Sequence, residues 1–410
     1  MRFSSRESGS ALLTFDAVTK QPPIRQPISR FAEGFACLLL FGGVLVVGAY
    51  VNALAAFVLL PVVIGFCTVR FFRALSRRGQ PTGWPALVAG NILILALLLS
   101  LLFLGFESYY RFICDRTDAM GNTLVSTAWY DRYFHKNSLG LRDDIEYPMA
   151  LTPGKRRVTF VGDSFTAGFG VKNVEDRFVN RIRRLHPEWE IHAAAKPGLD
   201  TSTEVDIMHN LTVSNHYRLD VVVLVYQIND IGEVMPGWVQ EYRKMMADDF
   251  RTSWLCQNSY FVNLFYHRWQ LRQNAFMRKY FDEVEAAYQG PLWETEKIGL
   301  LAFQNLTQMR GGQQLLVVTF PYMDQAMRFK SVHEQLDRYW KEQGIPHLDL
   351  LATFSNLPAA KLVANPHDGH PNEYAHALAT KAIDEFLKRE ITSRTNGAGQ
   401  IPPGVPVLSK

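Results

Sequence analysis

Two stretches of this chain carry almost no charge, and they restrict the fold more than anything else in it. Phe31–Val69 holds one formal charge, Glu33, and Trp84–Phe106 holds none. As helix at ~1.5 Å per residue, the first stretch is about twice a ~30 Å hydrocarbon core, and the second is long enough to cross alone. The first therefore reads as two short spans, about 32–50 and 53–69, turning near Val51-Asn52 with some hydrophobic mismatch. The third span is about 84–106, and its Asn91 reads as a helix–helix hydrogen bond.

Arg70, Arg73, Arg77 and Arg78 follow the second span, and no acidic residue comes before Glu107. By the positive-inside rule this loop and the basic N-terminus face the cytoplasm, and the uncharged 51–52 turn faces outward. Three spans then carry everything after about Glu107 across the membrane. Phe106, Tyr109, Tyr110 and Phe112 fall where interfacial rings are favoured. Residues 1–30 are polar and interrupted by Pro22, Pro23 and Pro27, which fits a disordered cytoplasmic tail. They are not a cleavable signal, because the apolar run starts too late and is too long.

The rest of the chain has globular composition. The net charge of +4 over 410 residues gives no reason to expect a nucleic-acid partner. Four cysteines are too few for a disulfide scaffold. Cys37 and Cys67 sit in apolar runs, and Cys114 and Cys256 are a candidate bridge if their part of the chain is exported. A connector, 107–155, contains Asn137–Asp143, which reads as turns and short extended pieces. From 156 to 392 near-continuous apolar runs alternate with helical patterns. Candidate strands are Val158–Val161, Glu190–Ala194, Val221–Tyr226, Leu315–Phe320 and a fifth around His347–Leu351. Helical patterns cover 174–187, 201–215, 296–311, 326–343 and 373–391. This alternation predicts a doubly wound, mainly parallel α/β sheet, with its site at the strand carboxyl ends. An aromatic-rich helical insertion at about 231–295 follows the third strand as a lid, a substrate wall or a membrane-facing surface. Residues 393–410 read as a flexible tail.

Four short stretches carry chemistry. In Val158–Val171 a buried strand delivers Ser164 into a tight turn before a helix. That setting exposes a hydroxyl at the sheet's carboxyl end and offers backbone N–H groups to a developing oxyanion. Gly198 follows the second strand, where a glycine lets a ligand approach its N–H. Asn229 ends the third strand in Gln227-Ile228-Asn229-Asp230, and its amide can donate to an oxyanion. Before the last helix stand Asp368 and His370, two residues apart, so an extended backbone puts a base and its orienting carboxylate on one side. His367 is the rival base, although as the immediate neighbour of Asp368 it should point away. His367, His370 and Asp368 lack a second ligand cluster, so no metal site is expected.

In this order the four stretches resemble the SGNH (GDSL-type) hydrolase superfamily, whose Ser, Gly, Asn and His markers stand in separate blocks. Gly162-Asp163-Ser164 matches the nucleophile block, Gly198 the glycine block, Gln227–Asp230 the asparagine block and Asp368–Asn372 the histidine block. Gln227 replaces the family's glycine, which should reshape the pocket wall but keeps Asn229. The Asp–His spacing is the shorter variant. The resemblance covers about 156–390 and implies a three-layer α/β/α domain with no cofactor. It implies Ser164 as nucleophile, His370 as base and Asp368 as its orienting group. The oxyanion donors would be the amides of Ser164 and Gly198 and the side chain of Asn229. It also implies a bacterial inner-membrane protein whose catalytic domain is periplasmic or extracellular.

Three functions compete. One is an esterase or deacylase acting on an acylated envelope glycan or lipid, with membrane lipid around its spans. Another is an O-acyltransferase with the same triad, which would need a membrane acyltransferase partner to supply the acyl group. The third is a non-catalytic envelope scaffold.

Overall fold

A computed structural model describes residues 28–77, 83–308 and 313–397. The expected N-terminal tail through residue 27, Arg78 of the basic loop, and the end of the expected C-terminal tail lie outside these residues. The chain divides into two units at Leu104–Gly105.

The first unit is helical. Helices Ile28–Tyr50 and Ala53–Ser76 turn at Val51-Asn52, and Asn52 Oδ1 accepts from the Leu54 and Ala55 amides at 2.8 and 3.3 Å. That cap satisfies donors which the start of an apolar helix leaves open. Val44, Ala56 and Val63 pack between the two helices. Ala53–Ser76 and Trp84–Ile113 are long and apolar enough to cross a membrane. The first expected span lies in the helix Ile28–Tyr50, whose stretch Phe35–Tyr50 is apolar.

The second unit is built on five parallel strands in the order β2-β1-β3-β4-β5. They are β1 (Arg156–Gly162), β2 (Trp189–Ala195), β3 (Val221–Gln227), β4 (Gln314–Phe320) and β5 (His347–Asp349). Successive side chains of a strand go to opposite faces. Val158 and Phe160 of β1 join Val223 and Val225 of β3 in a core with Phe178, Ile182, Ile383 and Phe386. Val161, Val222 and Leu224 face the other way, against Met208, Leu300, Phe303, Leu336 and Trp340. Helices Phe178–Leu185 and Glu373–Gly397 thus cover one face, and Thr201–His209, Pro291–Gln308 and Lys330–Glu342 cover the other. The order reverses between β1 and β3, so the crevice at their carboxyl ends is open to a ligand.

Four features depart from the sequence reading. A two-stranded antiparallel ribbon, β6 (Val363–Asn365) and β7 (Asp368–Pro371), pairs a stretch for which an extended dipeptide but no partner strand was expected. The connector contains a helix, Leu124–Tyr133, capped by Thr123 and held by buried Val125 and Trp129. The helix expected at 296–311 starts at Pro291, inside the 231–295 insertion, and the last helix runs past 392 to Gly397. Cys114 and Cys256 are both free thiols, so the candidate bridge is absent.

Candidate active site

β1 ends in Gly162, where a Cβ would come within 2.8 Å of the Val225 carbonyl of β3. Asp163 caps the next helix, Ser164–Ala167, its Oδ1 accepting from the Phe165 amide at 2.8 Å. Ser164 therefore stands at the first position of a helix at the sheet's carboxyl edge.

The ribbon brings the base to it. Asp368 and His370 lie on one side of β7, as alternation in an extended strand requires. His370 Nε2 is 2.8 Å from Ser164 Oγ, and His370 Nδ1 is 2.5 Å from Asp368 Oδ1. The His370 amide donates to the same carboxylate at 3.1 Å, which fixes the angle between the two side chains. Gly170, at φ +90°, makes the approach feasible: a Cβ there would lie 2.8 Å from the Ala364 Cβ of β6. Asn365 ties the ribbon down by donating to the Thr117 carbonyl at 2.9 Å. His367 is exposed and has no bond to Ser164; its amide donates to Asn365 Oδ1.

Charge organises the row. Burial disfavours a charged His370 ring, but the Asp368 carboxylate, helped by Asp163, outweighs it and holds His370 above the ordinary imidazole range. Burial likewise pushes Asp368 up, and the facing ring brings it below the usual carboxylate range. Asp163 is raised by burial. His367 goes the other way: burial and then Arg268, Arg272 and Arg116 lower it, which favours a neutral ring.

The two other expected residues flank this row without bonding to it. Gly198 is exposed at φ +79°, with open space on its Cβ side. The Asn229 side-chain amide has no hydrogen-bond partner among the described residues, and its Oδ1 is buried. Gln227 does not shape an open pocket wall, as expected of it. Its fully buried side chain turns inward, and Oε1 accepts from the Asn229 amide at 2.5 Å. Asp230 Oδ2 accepts from the Gln227 amide at 3.0 Å. Gln227 thus clamps the backbone turn that carries Asn229.

Sequence reasoning missed the residue that holds the nucleophile turn in place. Arg142, fully buried, donates to the carbonyls of Ala167, Gly168, Val171 and Lys172, and to Tyr133 of the connector helix. Its neighbour Asp143 accepts from Arg177, Arg183 and Tyr147. Burial works against the Asp143 carboxylate, but these partners bring it down to about 2. The available signal was the pair Arg142-Asp143 following Gly140-Leu141, a charged pair in an otherwise turn-like stretch.

Behind Asp163 lies a fully buried Glu204, neither oxygen of which has a hydrogen-bond partner. Burial first, then Asp163 and Glu296, raise it well above its ordinary value. Among the described residues no group of His, Cys, Asp or Glu is arranged to hold a metal.

No family model matches this chain, and no curated relative does. Several solved structures are similar to it. One is a member of the lipolytic protein G-D-S-L family from Veillonella parvula, at 14% identity and TM-score 0.36, covering 57% of this chain and 99% of that one. Another is the lipase/acylhydrolase from Enterococcus faecalis, at 14% identity and TM-score 0.34, covering 57% and 96%. A third is a two-domain esterase active on acetylated mannans, at 13% identity and TM-score 0.33, covering 62% of this chain and 54% of that one.

Proposed function

We propose that this chain is a serine ester hydrolase of the SGNH (GDSL) type, held at a bacterial inner membrane, that deacylates an envelope glycan or lipid. One observation carries the reading: Asp368, His370 and Ser164 stand in a single row, with links of 2.5 and 2.8 Å, at the carboxyl end of β1. A histidine between a buried carboxylate and a hydroxyl at a helix start is equipped for acyl transfer and for little else.

In this reading Ser164 Oγ attacks the ester carbonyl carbon, and its proton passes to His370 Nε2. Asp368 stabilises the imidazolium and sets its tautomer. The new oxyanion is met by the Ser164 and Gly198 amides and by Asn229, whose amide is left without another partner. The intermediate collapses to an acyl-serine, and His370 protonates the departing alcohol. Water, deprotonated by the same ring, then releases the acid and restores Ser164.

Membrane attachment is supported by the two helices of sufficient length and by the apolar side chains they expose, Val62 and Phe66 on one and Leu98 and Leu102 on the other. Such surfaces suit hydrocarbon and not water. A three-span anchor with the arginine loop inside puts the esterase outside.

The test is labelling of the full-length protein with a fluorophosphonate, read by mass spectrometry of the modified peptide. Label on Ser164 that is absent in Ser164→Ala and reduced at least tenfold in His370→Ala is the expected result. A folded wild-type protein that takes no label, or takes it at another serine, refutes the assignment.

A further inference from the structure

Helix Tyr260–Gln273 of the insertion is inside out. Its buried side chains are Asn263, Leu264, His267 and Gln270, three of them polar. Phe265 and Trp269, one turn apart on the opposite side, are 46% and 53% exposed. A helix facing water shows the reverse pattern. The inversion is specified by bonding. Asn263 accepts from the Leu124 amide and donates to the Cys256 carbonyl, at 2.9 and 3.1 Å. Gln270 donates to the Met245 carbonyl, and Arg251 reaches both His267 and Gln270. Rotating the helix to hide its rings would break all of these.

The exposed rings continue in two directions. Trp269 stacks on Tyr266, which meets Phe250 at 4.5 Å, and exposed Trp254 belongs to the preceding helix. On the other side Phe265 touches Tyr110, and Phe261 stacks on Phe106 at 5.1 Å. Phe106 and Tyr110 belong to the candidate span Trp84–Ile113, which ends in exposed Phe112 and Ile113. The join is fixed by Glu107. Its fully buried carboxylate accepts from Ser259 Oγ at 2.7 Å and from the Tyr260 and Phe261 amides at 3.1 Å, capping the inverted helix. Arg111 neutralises it at 2.7 Å. Basic groups border the patch: Arg116 and Arg272 are exposed, and Arg268 is partly so. The carboxylates beside them are occupied, Asp118 by Arg268 and Asp115 by Arg132 and Lys172.

We propose that this face of the insertion is a membrane-docking surface. It seats Trp254, Phe265 and Trp269 in the headgroup–acyl boundary of the bilayer that the Trp84–Ile113 span enters, with the arginines on anionic headgroups. Aromatic rings flanked by basic residues are the composition such a layer selects. The commitment to lipid comes from continuity with the span, and it rests on the reading of that span as transmembrane. Arg116, His367 and Asp368 line one cleft of about 870 Å³, which would then open at headgroup level.

The test uses the full chain in nanodiscs of phosphatidylethanolamine and phosphatidylglycerol. A photoreactive p-benzoylphenylalanine replaces Trp269, or Trp254 as an independent position, and lipid adducts are read on the modified peptide. Leu98, in the span, and Arg389, on the last helix, are replaced in the same way as references. Adducts at Trp269 and Trp254 at the Leu98 level, at least tenfold above Arg389, are the expected result. Adducts at Leu98 with Trp269 and Trp254 at the Arg389 level overturn the docking surface and leave the anchor standing. No adduct at Leu98 overturns the transmembrane reading on which it rests. A crosslink from Trp269 to a second copy of the chain also overturns it, assigning the face to self-association.

Discussion

Replacing Asp368 by Asn keeps the shape of the site and removes one charge. The carboxylate is buried and 2.5 Å from His370 Nδ1, so the ring loses its nearest counter-charge. A unit charge about 4 Å away, at an effective dielectric of about 20, is worth about 4 kcal/mol in favour of the charged ring. Asp163 contributes in the same direction, but burial opposes both. Without Asp368, burial dominates and His370 falls below the ordinary imidazole range. The base acts in its neutral form, so activity rises as pH rises through the His370 pKa. In the wild type that midpoint should lie above 6.5. In Asp368→Asn it should move to lower pH while the plateau drops by about 10⁴, because the amide favours the wrong tautomer. The assay is kcat/KM for a p-nitrophenyl ester between pH 5 and 9, with Ser164→Ala as the blank. An unchanged midpoint, or a plateau loss under tenfold, would refute the idea that Asp368 sets the protonation and orientation of His370.

Three further outcomes follow from the same geometry. Asn229→Ala should lower kcat by about 10²–10³ without abolishing it, as loss of one oxyanion donor does, and unchanged ester turnover would remove Asn229 from that role. Arg142→Lys cannot reproduce a planar fork across several carbonyls, so it should slow fluorophosphonate labelling of Ser164 at least tenfold and lower Tm; labelling at the wild-type rate would show that the turn holds itself. Asp143, at about 2 against 3.8 unfolded, contributes stability that is complete above pH 4 and lost as pH falls toward 2, by about 2 kcal/mol. Asp143→Asn should therefore flatten Tm against pH over that window and cost about 3–5 kcal/mol at pH 7, where Arg177 and Arg183 lose their shared carboxylate and keep only neutral acceptors, Asn180 and the Arg142 and Ile191 carbonyls. Parallel wild-type and variant curves would rule this out.

The parallel sheet was legible because β3 is apolar from Val221 to Tyr226, and β1 and β4 carry runs at Val158–Val161 and Leu315–Phe320 broken only by Thr159 and Thr319, as strands covered on both sides must. The positions of Ser164, Asn229 and the Asp368–His370 pair could be read from where each falls relative to a strand end or to the last helix. The turn at Asn52 was readable for a similar reason, a polar residue between two apolar runs. Features that depend on distant partners could not be read. The β6–β7 ribbon is seven residues of sheet with no apolar alternation, specified by Gly170 and Thr117 on other segments. The role of Arg142 depends on carbonyls 25–30 positions away. In the insertion, composition announced the aromatic residues but not their direction, because a helix that buries Asn263, His267 and Gln270 cannot be told from an ordinary one by its ring content. The inward turn of Gln227 is likewise decided by the Asn229 amide it meets.

Arg142 also has a consequence for how this molecule can be divided. A cut at Arg156, where the sheet begins, would leave the four carbonyls of the nucleophile's turn, those of Ala167, Gly168, Val171 and Lys172, without Arg142. A cut after Tyr133 would remove the partner that holds Arg142 from outside. The segment between membrane and sheet is therefore a keystone of the catalytic fold and no spare tether. Transplanting this domain onto another anchor, or inheriting it by recombination, must carry residues from about Thr117 onward as one heritable block.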